Sequence, residues 1–165
     1  MAENNSNATA TGAKNPAFDI IRLYVKDLSL ETPNTPDIFR KEWKPETKLD
    51  IDVKHRSIDE PNHVYEVVLR ITATVAIGED TAFLAEVNQA GIFHIENFPE
   101  NQLNHMLNAF IPGILFPYAR ELVSDLSNRA SFPPLNLAPI NFEAIYAQRL
   151  QQQAQQAQAP AAEEK

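Results

Sequence analysis

The sequence predicts an α+β fold: a four-stranded, mostly antiparallel sheet with a long, kinked helix and a C-terminal helix on one face. Three observations predict it. Four segments in the first part of the chain have the composition or alternation of strands. The third and fourth are joined by a tight turn at Gly78-Glu79-Asp80. From Pro99 onward the apolar period lengthens to three or four, the spacing of a helix face.

The first strand is expected over Phe18 to Glu31, FDIIRLYVKDLSLE, rich in Ile, Leu, Val and Tyr. Its alternation is imperfect, which predicts a bulge or a change of exposed face. Near its end Asp27, Ser29 and Glu31 share one side and Leu28 and Leu30 the other. Thr32 to Pro45 holds three prolines and reads as a crossover loop. It carries Ile38, Phe39 and Trp43, the only tryptophan. Large apolar residues on a loop either tuck onto their own core or form a binding wall.

Thr47 to Lys54 alternates Leu49, Ile51 and Val53 with Lys48, Asp50, Asp52 and Lys54, a half-exposed strand, and His55 to His63 reads as a polar loop. Val64 to Ile77 sets Tyr65, Val67, Leu69, Ile71, Ala73, Val75 and Ile77 on one face. Thr81 to Phe93, TAFLAEVNQAGIF, is the centre of the fold. Phe83, Ala85, Val87, Gln89, Gly91 and Phe93 make an apolar or small face, and Leu84, Glu86 and Asn88 an open one.

In the helical part, Leu103, Leu107, Phe110, Ile114, Tyr118, Leu122 and Leu126 form a stripe. Pro112 and Pro117 lie inside it and predict a kink or break, because each removes a backbone donor and crowds the carbonyl four residues back. SFPPLNLAP, from Ser131 to Pro139, is extended by its prolines. Asn141 is the expected cap of a last helix, Phe142 to about Gln153. Residues 1–16 are expected to form a disordered tail, 17–153 one domain and 154–165 a second, Gln/Ala-rich disordered tail.

The 165 residues fit one domain, whose core region of roughly 130 residues buries about two-thirds of its unfolded surface. A net charge of −8 argues against a nucleic-acid or anionic-membrane surface and permits a basic partner. No cysteine is present for disulfides or thiolate metal sites. The N-terminal stretch has no apolar core of a signal peptide, and no apolar run is long enough to span a bilayer. A cytoplasmic location is the expectation. With four glycines and no GxGxxG, GxxxxGK or GxSxG, no phosphate-cradling loop or nucleophile elbow is expected. The four histidines form no HxH or HExxH pattern, so no metal or cofactor is expected and an enzyme is disfavoured. A scaffold that binds one folded partner remains a competing reading, as does an enzyme with converging polar groups in a deep pocket.

The segments YVKDLSLETPN, FRKEW, VYEVVLR, TAFLAEVNQAGIF, ILFPYAR and FPPLNLAPINF occur in that order, and over about residues 17–150 the chain resembles the SecB family of bacterial protein-export chaperones. The resemblance implies a homotetramer, a dimer of dimers with the long helices between two sheets. Ala85, Val87 and Gln89 would then face the helices at the assembly interface. It implies ATP-independent binding of unfolded secretory precursors, kept translocation-competent and passed to the SecA ATPase of the Sec translocon. Asp27, Glu31, Leu84 and Glu86 match the family's SecA-docking positions. The family's precursor groove, with the crossover loop as one wall and the helix as the other, suggests Phe39, Trp43, Phe110, Phe116 and Tyr118. The C-terminal segment, a second SecA contact in the family, is too divergent here to assign by residue.

Overall fold

The protein is described over residues 14–158 by a computed structural model. Four strands, β1 (Ala17–Glu31), β2 (Glu46–Asp59), β3 (Val64–Ile77) and β4 (Asp80–Glu96), form one antiparallel sheet in the order β1-β4-β3-β2. The helices are α1 (Glu100–His105), α2 (Ile111–Arg129) and α3 (Phe142–Gln158). The β3–β4 hairpin is central, as expected. Its turn places Gly78 at φ 61°, a region glycine enters without the clash of a Cβ.

Several boundaries differ from expectation. β2 continues through His55 to Asp59, so the polar loop shrinks to a turn before Val64. Cross-strand pairing with the strongly apolar β3 extends the ladder over residues whose own composition is polar. The crossover segment contains a short 3-10 turn, Asp37–Arg40, anchored by buried Ile38. It is tied across the hairpin end by an ion pair of Lys41 with Asp80 and by Asn34 Nδ2 donating to the Thr81 carbonyl at 3.0 Å. α3 runs past Gln153 to Gln158; residues 1–13 and 159–165, the greater part of the expected tails, lie outside the described residues.

The long helix does not break at its prolines. A widened π-type turn, Met106–Phe110, joins α1 to α2 just ahead of Pro112. Pro112 has no N–H for the Asn108 carbonyl and its ring crowds that group, and a turn of larger radius accommodates both effects. Pro117 lies inside α2, which continues to Arg129. Asn141 caps α3 as expected, its Oδ1 accepting from the Ala144 N–H at 3.0 Å.

The core lies between α2 and the two central strands. Val67, Leu69, Ile71, Ala73 and Val75 of β3 and Phe83, Ala85, Val87 and Phe93 of β4 are buried there against Ile111, Leu115, Ala119 and Val123. At Gly91 a Cβ would lie 2.6 Å from the Phe93 ring, so glycine lets that ring fold back over its own strand and stack on Phe18 at 6.0 Å. The inner sides of the flanking strands are less covered: Ile20, Val25 and Leu28 on β1 and Leu49 on β2 are exposed.

Candidate functional site

Two surfaces carry recognisable chemistry. The first runs beside the extended link of residues 131–141. Phe132, buried, stands at its centre. Its ring packs on Phe39 at 5.1 Å, Trp43 at 5.7 Å and Phe83 at 5.2 Å. The crossover segment and the link thus meet above the β3–β4 core, and Phe39 and Trp43 remain partly exposed on top. Ser127 holds the link in place, donating to the Ser124 carbonyl at 2.9 Å and accepting from the Leu135 N–H at 2.8 Å. Arg120 Nε donates to the Leu137 carbonyl at 2.6 Å.

Three clefts follow one another along this link. A crevice of about 150 Å³ lies between Trp43, Thr47, Phe83 and the Pro133–Leu135 segment. Pro134 separates it from a groove of about 680 Å³ between α2 and the link, walled by Phe116, Pro117, Arg120, Ser124 and Asn136. Pro139 separates that from a cleft of about 570 Å³ bounded by Phe110, Gly113, Ile114 and the start of α3. Prolines suit this track: with no backbone N–H they leave no unsatisfied donor, and they hold the link extended.

Of the residues expected in a precursor groove, Trp43, Phe116 and Phe110 line successive clefts and Phe39 adjoins the first. Phe116 is only 7% exposed and packs edge-on to Phe142, so it serves as floor rather than open wall. Tyr118 is not part of the track. It is exposed and lines none of the three clefts, although Ile114, one turn before it on the helix, borders the third. Phe132 and the prolines of the link were missed as wall residues. The signal present was a second proline-rich stretch carrying a phenylalanine, like the first.

The second surface is the outer face of the sheet. Register pairs Asp27 with Asn88, Ser29 with Glu86 and Glu31 with Leu84. Asp27, Glu31, Leu84 and Glu86 therefore come together on one face of the β1–β4 pair. Glu86 accepts from Thr72 Oγ1 at 3.3 Å and Asn88 Nδ2 at 3.2 Å. None of the three carboxylates has an ion-pair partner among the described residues. Ala85, Val87 and Gln89, expected at an assembly interface, point the other way. Ala85 and Val87 are fully buried and Gln89 nearly so, under the helix of their own chain. A second copy could touch them only if α2 moved aside.

Farther along the same outer face sits a buried carboxylate that alternation alone did not single out. Glu66 on β3 is 5% exposed. Lys26 Nζ donates to both its oxygens at 2.8 and 2.9 Å, Arg56 Nε to Oε2 at 2.8 Å, and the Tyr24 hydroxyl to Oε1. Burial alone would raise its pKa; the bonds from Lys26, Tyr24 and Arg56 outweigh that and bring it down to about 2. Burial, and next the bond and charge of Glu66, push the Tyr24 hydroxyl up to about 12, so it stays a donor. A bulge between Val25 and Asp27 makes this clamp possible. On a strict two-residue period Lys26 would oppose Asp27; the extra residue lets both reach the outer face.

This is an open two-layer α+β arrangement with half-exposed aromatic residues and charged patches on its surface, the build of a binding protein. The family model for SecB, preprotein translocase subunit SecB, matches residues 11–153, and the chain belongs to that family. It is 61% identical over 142 residues to the protein-export protein SecB of Idiomarina loihiensis, covering 86% of this chain and 84% of the relative. A SecB-like chaperone of Mycobacterium tuberculosis, solved in complex with a peptide from an antitoxin, shares the fold at 17% identity and a TM-score of 0.63, over 74% of this chain and 90% of that one. The chain is thus a chaperone of protein export and not an enzyme. Among the described residues no helix is long and apolar enough to cross a membrane.

Proposed function

We propose that this chain acts as a nucleotide-independent holdase in the cytoplasm, taking up unfolded secretory precursors along the link-side track and passing them to the SecA motor at the outer sheet face. The observation that carries the first part is the Phe39–Trp43–Phe132 cluster and the three clefts that continue from it. Half-exposed aromatic groups recognise apolar chain without a sequence code, and an extended segment can lie beside an extended link. The net charge of −8 favours precursors with basic segments. For the second part, Asp27, Glu31 and Glu86, without an ion-pair partner among the described residues, surround Leu84 and present negative charge and an apolar anchor to a basic partner.

The working unit of this proposal is a homotetramer, a dimer of dimers. Its support is the apolar surface that a single chain leaves bare: Ile20, Val25 and Leu28 on the inner side of edge strand β1, and Tyr118 on α2. Phe110, touching Phe18 edge-on at 5.5 Å, links the two sets. An edge strand with such a side is a surface to be paired or covered. Ala85, Val87 and Gln89 then act on assembly through the helix they support.

The test is suppression of aggregation of several unrelated urea-unfolded precursors, without nucleotide, by the parent chain and by Phe39→Ala/Trp43→Ala. The parent chain suppresses and the double variant, still folded, suppresses less, with Trp43 fluorescence of the parent changing on binding. Undiminished activity of the double variant, or dependence on added ATP, would refute the proposal.

A further inference from the structure

The outer sheet face is not uniformly acidic: basic side chains lie between the Glu86 patch and the carboxylates of Asp19 and Glu96 at its other end. Beyond Asn88, which hydrogen-bonds Glu86 on its acidic side, lies a cleft of about 370 Å³ lined by Lys26, Lys54, Arg56, Glu66, Val68 and Asn88. We infer that this cleft, formed by Lys26, Lys54 and Arg56 around Glu66, is a second docking site that takes a short acidic peptide segment through its aspartate or glutamate side chains.

The charge balance points to an anion. Three cations surround one carboxylate, so the cleft is left with positive charge in a chain that is negative overall. Lys26 directs its ammonium to both oxygens of Glu66 and is half exposed. Arg56 is held by Nε alone, which leaves its two terminal nitrogens, on a largely exposed side chain, directed to neither protein oxygen nor carboxylate among the described residues. Lys54 makes no ion pair there at all. Glu66 thus orients the guanidinium without using its terminal donors, the geometry that pairs with an incoming carboxylate. His55 also borders the cleft, but it pairs with inner-side Val67 and its imidazole meets Asn108 of the helical layer at 3.4 Å, so its ring faces away from the cations.

The neighbours decide the size of the anion. Asp27 follows Lys26 directly and pairs with Asn88, so the acidic patch abuts the cleft. A long polyanion such as nucleic acid would lie across both and be repelled by the patch and by the net charge. A short acidic peptide sets two or three of its carboxylates on the cations and can lead away from the patch with the rest. Val68 supplies an aliphatic wall for the methylenes of such side chains.

The test is fluorescence anisotropy of a labelled hexaglutamate peptide titrated with the full chain at low salt, with a Gly-Ser peptide as control. Saturable binding to hexaglutamate alone is expected, weakening as salt rises. Lys54→Glu, at a side chain with no ion-pair partner among the described residues, should weaken it about tenfold, and Lys54→Glu/Arg56→Glu should abolish it. Glu86→Lys, across Asn88, should leave it unchanged or tighter. No binding above the control, equal binding by Lys54→Glu, or stronger binding of an oligothymidylate than of hexaglutamate would each overturn the inference.

Discussion

β4 and β1 are neighbours, and each has an apolar inner side, yet the two sides meet different fates. Phe83, Ala85 and Val87 on β4 are wholly buried under α2. Ile20, Val25 and Leu28 on β1 keep 46%, 46% and 42% of their exposure in the single chain. One helix about 10 Å across covers two strands spaced nearly 5 Å apart, and the sheet has four. The apolar residues of the centre therefore hold the fold together, while several of those at the edge stay open to solvent in the single chain.

The largest effect should come from breaking the covered side. Val87→Asp places a carboxylate with no partner in a dry, packed core, and a loss of about 4 kcal/mol or more is expected. The check is thermal unfolding by circular dichroism: the variant should show no cooperative melt or one far below the parent, rather than a folded chain of smaller native mass.

Glu66→Gln tests how β1 is held on the outer side. It removes the charge to which Lys26, Tyr24 and Arg56 are bonded, and about 1–3 kcal/mol of stability should go with it. The pH dependence has a definite sign. The folded-state pKa of about 2 lies below the ordinary value of 4.5, so the stabilisation is fully present above 4.5 and is lost as pH falls from there toward about 2. Urea midpoints measured across that window should therefore converge for parent and variant at its acid end.

Leu28→Asp puts the same new charge as Val87→Asp on the uncovered side. Within one chain it should cost less than about 1 kcal/mol, since the carboxylate stays hydrated. Light scattering should instead report a smaller native mass at micromolar concentration. An unchanged mass would mean that the edge strand is not part of the proposed assembly surface.

The smallest structural effect is expected for Glu86→Lys. Its carboxylate is half-buried with only two neutral donors, so stability should change by no more than about 0.5 kcal/mol. Affinity for SecA should fall while precursor holding and native mass persist. If SecA binds normally, or both activities fall together, the outer face and the link-side track do not divide the work as proposed.

Much of this was readable from residue order. The strict alternation of Val67 to Val75 and Phe83 to Phe93 and the turn at Gly78 specify the central hairpin without reference to anything distant, because the side-chain period of a strand is local. The same period placed Leu84 and Glu86 opposite Val87. The acidic patch was likewise legible strand by strand, although its assembly across β1 and β4 needed the register. The precursor track was less so: Phe110 and Tyr118 share one helical stripe in sequence and Phe116 lies off it, yet Phe116 became floor, Phe110 a rim, and Tyr118 lines none of the three clefts.

By itself, then, the sequence determined the strand and helix periods, the caps and turns, and the motifs that mark the family, all properties of residues within a few positions of one another. Only the tertiary structure decided three matters. It brought Phe132 from the link under Phe39 and Trp43 from the crossover segment. It turned Lys26 to the same face as Asp27 through a bulge, so that Glu66 could be buried with its charge intact. It also left Ile20, Val25 and Leu28 on the inner side of β1 uncovered. Each depends on which distant segments share a volume, and that is settled by packing one helix and one proline-bound link onto a sheet wider than they can cover.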